Sequence, residues 1–196
     1  MIPITEIHPM LVHFPIVLWI SAEAIAVVVL LRGGDLSARQ QWSTTAFYSL
    51  LAGTAFAALA AFFGDIALDH AVAAGFATGP LEFHETIALI TLSIFALHAI
   101  LRMLAIWRRY PLTGIRGWLA ELPGLVGIVG LLVTAYLGGE LVYHLGVNVA
   151  AVVHRGFFCG GRLDCIGGAL DHRHSGFGAF SYGRKRVYRS RHSVRP

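Results

Sequence analysis

The stretch His8-Pro9-Met10-Leu11-Val12-His13-Phe14-Pro15-Ile16 sets two histidines and two prolines at the start of a long apolar run. That run, Met10 to Leu31, is 22 residues long, and His13 and Glu23 are its only ionisable side chains. A helix rises ~1.5 Å per residue, so the run can cross a bilayer core of ~30 Å. His13 then lies about one turn inside one membrane face, where an imidazole is costly unless it finds a partner. Pro9 suits a helix entry, because the donor it lacks would be unpaired there anyway. Pro15 falls within the first turns. It should kink the helix or delay its regular start, and a kink would turn His13 inward.

The composition agrees with a membrane protein. Of 196 residues, 56% are hydrophobic and 13% charged, against about 25% charged in an average soluble domain. The net charge of +4 is uneven. Residues 1–153 hold six Arg and nine Asp or Glu, a net of −3, whereas residues 154–196 hold nine Lys or Arg and two Asp, a net of +7. The expected division is a transmembrane domain over residues 1–150 and a basic Gly-, Arg- and His-rich tail over 151–196 with no apolar period, read as disordered. No basic segment precedes the first apolar run, which is therefore read as a retained helix and not a signal peptide.

Three further spans follow. Thr45 to Phe63 is uncharged and rich in Ala, and Gly64-Asp65 is expected to end it. A third helix is expected from about Leu81–His84 to Trp107, and a fourth from Leu122 to about Gly146, with Gly124, Gly127 and Gly130 allowing close helix approach. The fold class is thus an all-α integral membrane four-helix bundle. Arg32, Arg39, Arg108, Arg109 and Arg116 fall in the first and third loops, and none falls between Gly64 and Glu85. The positive-inside rule then puts both termini outside the cytoplasm, in a bacterial inner membrane.

Every helix contributes polar residues to the outer layer: His8 and His13, Asp65 and His70, His84 and Glu85, Glu140 and His144. Neutral imidazoles bind Zn, Cu and Fe, and carboxylates orient them from behind. His13, His84 and His144 are therefore the candidate ligands of one centre, a b-type haem or a transition metal. His8, Asp65, Glu85, Glu140 and Tyr143 would stand behind them. Helix ends also gather polar residues simply because water and headgroups are there, and His, Asp and Glu cap free amides. Deeper in, Glu23 and His98 both sit about 20 Å from the outer face, with Arg102 one turn further. No second histidine shares the depth of His98, so Glu23–His98 reads as a proton or charge pair.

At these motifs the chain resembles a bacterial membrane-protein family known as domain of unknown function 2231. The resemblance rests on His8-Pro-Met-Leu-Val-His13-Phe-Pro15-Ile, Gly64-Asp65, the His84 region and Gly138-Gly139-Glu-Leu-Val142-Tyr143-His-Leu-Gly146. It covers residues 5 to about 150, and His8, His13, Asp65, Gly139, Tyr143 and Gly146 are its motif positions here. Similar domains occur joined to c-type cytochrome or Rieske-type iron–sulfur domains, so the resemblance implies a redox setting.

Three functions are compatible with these residues. The first is an electron-transfer component carrying one haem b near the outer face, with a quinone or a cytochrome or iron–sulfur protein as partner. The second is a non-enzymatic subunit or scaffold of a redox complex. The third is a small proton-coupled transporter using Glu23 and His98, ranked last because no duplication that would support an inverted repeat is visible. The chain shows no nucleophilic triad, phosphate loop or zinc-hydrolase motif, and nothing in it points to nucleic acid. Membrane lipid is an expected partner, and a homo-oligomer is left open. Cys159 and Cys165 are the only cysteines, and an oxidising compartment would join them as a disulfide.

Overall fold

The first span breaks where Pro15 requires it. A proline has no N–H for the carbonyl four residues back and its ring crowds that carbonyl. Helix α1 accordingly runs Ile4–Leu11 and α2 runs His13–Leu31, with Val12 between them. The computed structural model describes residues 4–147. The tail, with His154, Cys159 and Cys165, lies outside the described residues.

Helices α3 (Gln41–Ala73), α4 (Thr78–Trp107) and α5 (Gly114–Tyr143) complete the all-α bundle. The four spans, counting α1 and α2 as one, are 25 to 33 residues long and apolar enough to cross a membrane. Three boundaries differ from the sequence expectation. Helix α3 does not stop at Gly64-Asp65 but continues for nine residues to Ala73. The expected loop from Gly64 to Glu85 shrinks to a turn over 74–77. Helix α5 starts at Gly114 and not at Leu122, so Pro123 lies inside it. Proline is tolerated within a membrane helix because neighbouring groups satisfy the freed carbonyl.

Large apolar side chains such as Val17, Phe62, Leu97 and Leu132 face outward, and small ones line the interior: Ala22, Ala26, Ala46, Ala60 and Ala71 are buried. Lipid is as apolar as leucine, so close backbone approach and dispersion hold such a bundle together.

Helices α1–α3 form one hairpin and α4–α5 a second, and the two share one internal register. In the first, His8 packs on Gly64 and Trp19 on Gly53; in the second, His84 packs on Gly138 and Phe95 on Gly127. Each first partner is 76 residues from its equivalent (8 and 84, 19 and 95), and each glycine is 74 residues from its own (53 and 127, 64 and 138). Equivalent residues also touch each other. Trp19 and Phe95 stack with centroids 3.9 Å apart, and the Leu36 amide donates to the Leu112 carbonyl at 3.2 Å. Residues that are mutual equivalents and in contact lie beside the axis relating the halves. The repeat is parallel, with both hairpins starting from the same membrane face, and its sequence trace is too faint to see without the contacts.

Candidate functional site

Three carboxylate and imidazole groups meet on the inner side of the stacked Trp19–Phe95 pair. Glu23 comes from α2, His98 from α4 and Glu121 from α5, and one ligating atom of each lies within 4.8 Å of the other two. The His98 Nε2 is 3.5 Å from Glu23 Oε1 and 3.7 Å from Glu121 Oε2, so one ring nitrogen stands between two carboxylates. All three residues are buried, and Arg102, one turn along α4 from His98, is fully buried beside them. Its Nη2 donates to the Leu36 carbonyl at 3.4 Å, while Nε and Nη1 have no partner. Both carboxylates and both nitrogens of the His98 ring also lack a hydrogen bond in this geometry.

Local sequence explains how the groups fit. Glu23, His98 and Glu121 lie seven to nine residues from the helix ends Leu31, Trp107 and Gly114, and Arg102 lies five from Trp107, roughly 8–14 Å in from the Arg-bearing end. Gly124 provides the space, since a Cβ there would run into the Glu23 carboxylate. The loop between α2 and α3 closes the cluster from the Arg-bearing end. Leu36 is 1% exposed, and Asp35 pins the loop by accepting from the Ser37 amide (2.8 Å), the Ser37 hydroxyl (2.7 Å) and the Leu112 amide (2.9 Å). Burial pushes the Asp35 carboxyl up, but the hydrogen bonds from Ser37 and Leu112 outweigh it and hold the group below its usual value.

The outer layer is arranged differently. His13, Asp65, Glu140, Tyr143 and His144 are exposed, and His8, His84 and Glu85 are half-buried. The kink at Val12 leaves His13 outside. Among the described residues, Glu23, His98 and Glu121 are the one group of three such side chains close enough to hold a metal ion together, and His13, His84 and His144 do not form another. His8, expected to stand behind the ligands, turns inward instead. Its Nδ1 donates to the Ala60 carbonyl at 2.7 Å, and a Cβ at Gly64 would lie 2.9 Å from that nitrogen. His84 repeats this on the second hairpin. Its ring lies against Gly138, its Nδ1 is buried with no hydrogen-bond partner, and Thr134 occupies the position equivalent to Ala60. His70, expected in a loop, lies in α3, where its Nδ1 bonds the Ile66 carbonyl at 2.8 Å.

Glu23, His98 and Arg102 were legible as a deep polar set, and Glu121 was not, because the fourth helix was expected to start at Leu122, just beyond it. The available signal is the spacing Gly117, Glu121, Gly124, Gly127. Steps of three and four put Glu121 on the small-residue face of a helix.

Four long apolar helices with ionisable groups buried between them define an integral membrane protein. Residues 5–151 match the family described as "Predicted membrane protein (DUF2231)", and the chain belongs to that family. No curated protein and no solved structure matches the chain.

Proposed function

We propose that this membrane protein is an electron-transfer component that holds one b-type haem between His8 and His84 near the His-bearing end. The observation that carries the reading is the equivalent placement of these two rings, His8 against Gly64 on one hairpin and His84 against Gly138 on the other. A metal-binding imidazole characteristically spends one nitrogen on a carbonyl or carboxylate and offers the other to the metal. His8 meets that requirement through Ala60. His84 packs on Gly138 in the same register, and its Nδ1 is buried with no hydrogen-bond partner. Gly64 and Gly138 admit the two rings to their helices.

Bound haem supplies one-electron redox chemistry. The protein's part would be to present two imidazoles from opposite hairpins, fix the His8 ring through the Ala60 carbonyl, and surround the site with apolar helices. His84 keeps its proposed role. His8 takes the place of His13, and His144 has none, because His13 and His144 are exposed. The arginines in the first and third loops support an extracytoplasmic position for this end in a bacterial inner membrane, where its partner would be a quinone or a cytochrome or iron–sulfur protein.

The test is an absorbance spectrum of protein purified from membranes supplied with haem. A Soret band that sharpens on reduction is expected, lost in His8→Ala and in His84→Ala and retained in His13→Ala and His144→Ala. Folded protein without a haem band under these conditions overturns the reading and leaves a scaffold subunit in its place.

A further inference from the structure

The inner cluster is independent of the haem reading, shares no residue with it, and has a charge count that does not close by itself. Arg102 carries one positive charge, and Glu23 and Glu121 carry two negative charges when both are ionised. All of them are buried. Removing a net charge from water in a low-dielectric interior is expensive, and a buried group takes up or releases a proton to avoid it. No other ionisable group restores the balance from the elements packed around them. On α3 the ionisable residues are Tyr48, which is exposed, and Asp65, Asp69 and His70 near its far end; Arg116 on α5 is exposed over the Tyr110 ring, and Asp35 on the covering loop is engaged by Ser37 and Leu112. One added proton makes the cluster neutral.

The geometry gives that proton two kinds of seat. It can sit on the His98 imidazole, between carboxylate oxygens at 3.5 and 3.7 Å, or on a carboxyl of Glu23 or Glu121. Both arrangements are neutral overall. Moving between them breaks one imidazolium N–H bond and forms one carboxyl O–H bond, with no electron transferred and no co-reactant needed.

We propose that Glu23, His98, Glu121 and Arg102 form a proton-holding site in the membrane interior that stores one exchangeable proton and shares it between imidazole and carboxylates. The three acceptors have the donor chemistry of a divalent metal site. A dipositive ion beside Arg102 would instead leave an excess positive charge in the same interior, so the charge count favours the proton. Leu36 and its hydrogen bond from Arg102 close the site at the Arg-bearing end.

The experiment counts protons on the purified full chain in lipid at neutral pH. Infrared spectroscopy reads the protonated carboxyl C=O band through its shift in deuterium oxide, and nitrogen-15 NMR of labelled histidine reads the His98 imidazolium. In the wild-type chain the two signals together should amount to one proton. His98→Gln should move all of it into the carboxyl band. Adding Arg102→Met should raise that band about two-fold, because neutrality then requires both carboxyls to hold protons. Glu121→Gln should abolish it, since one carboxylate balances one guanidinium. The proposal is overturned if the wild-type count is zero, if folded His98→Gln shows no protonated carboxyl, or if the wild-type chain retains a stoichiometric divalent metal that Glu23→Gln releases. Should the variants not fold, the wild-type proton count and metal content decide the matter alone. A failed haem spectrum leaves this count untouched, so the two readings can fail separately.

Discussion

In the first hairpin His8 lies on Gly64 and Trp19 on Gly53; in the second His84 lies on Gly138 and Phe95 on Gly127. Further toward the Arg-bearing end the same comparison gives a different result. The positions equivalent to His98 and Arg102 are Ala22 and Ala26, both fully buried, and the position equivalent to Glu23 is the buried Ala99. Contacts that both hairpins repeat are those that packing two helices demands. Polar residues that one hairpin has, where the other keeps alanine, are not required by packing. That asymmetry separates Glu23, His98 and Arg102 from the scaffold around them; the equivalent of Glu121, by the shift of 74, is Phe47.

The largest expected effect breaks the asymmetric half. Arg102→Met leaves two buried carboxylates without their cation, and breaking a buried charge pair in this way costs about 3–5 kcal/mol. Thermal unfolding in detergent measures it. Adding Glu121→Gln should recover most of the loss, because the remaining carboxyl then needs only one proton to be neutral. Equal stability of Arg102→Met and the wild-type chain would mean that Arg102 does not balance the carboxylates.

The symmetric half should answer in pairs. A Cβ at Gly53 would lie 2.7 Å from the Trp19 ring, and one at Gly127 would lie 2.8 Å from the Phe95 ring. The two rings stack on each other at 3.9 Å, so neither can withdraw. Overpacking of this kind costs about 1–3 kcal/mol, and alanine's better helix propensity returns up to about 1 of it. Gly53→Ala and Gly127→Ala should therefore lose similar amounts, about 1–2 kcal/mol each. A clear loss in one and none in the other would show that the shared register does not reflect shared packing.

The four spans were legible because an apolar run of membrane length needs no tertiary information. Deep positions of Glu23, His98 and Arg102 followed from counting residues along those runs. The rest depended on contacts. Whether His8 or His13 faces inward is decided by the break at Val12, and the proline that causes it does not specify the rotation. Glu121 was hidden because the fourth helix was expected from Leu122, whereas α5 begins at Gly114 and carries Pro123 within it. The hairpin repeat was hidden because its equivalences pair unlike residues, Trp19 with Phe95 and Ala22 with His98, under a two-residue shift in the loop.

Asp35 gives a smaller effect with a defined sign. Its carboxyl is held below the usual carboxylate value in the folded protein, so its contribution is present above the unfolded value and is lost as pH falls through the folded one. Asp35→Asn should remove this acid-limb loss and reduce stability near neutral pH by about 1 kcal/mol, the scale of a hydrogen bond in a partly solvated site. Unfolding midpoints compared between neutral and acidic pH check it. An unchanged acid limb in the variant would assign the pH dependence to other carboxylates.

The smallest effect returns to the repeat at the first turn beyond each inner helix. Gly33 follows α2 and Arg109 follows α4, again 76 residues apart, and both have positive φ, at 70° and 54°. Each closes its helix in the same way. The amides of Gly33 and Gly34 reach the carbonyls of Leu30 and Val29, and those of Arg109 and Tyr110 reach Ile106 and Ala105. A side chain in this left-handed conformation crowds its own carbonyl, at about 1–2 kcal/mol, whereas glycine does not. Arg109→Gly should therefore stabilise the protein by about 1 kcal/mol after the greater freedom of glycine in the unfolded chain is subtracted. Gly33→Ala should destabilise it by a similar amount, because a Cβ at Gly33 meets no other atom and only the backbone strain differs. Opposite signs at these two equivalent positions are the sharpest check on the register of the loops. If Arg109→Gly lowers the unfolding midpoint, the arginine side chain contributes more at this turn than the strain it imposes.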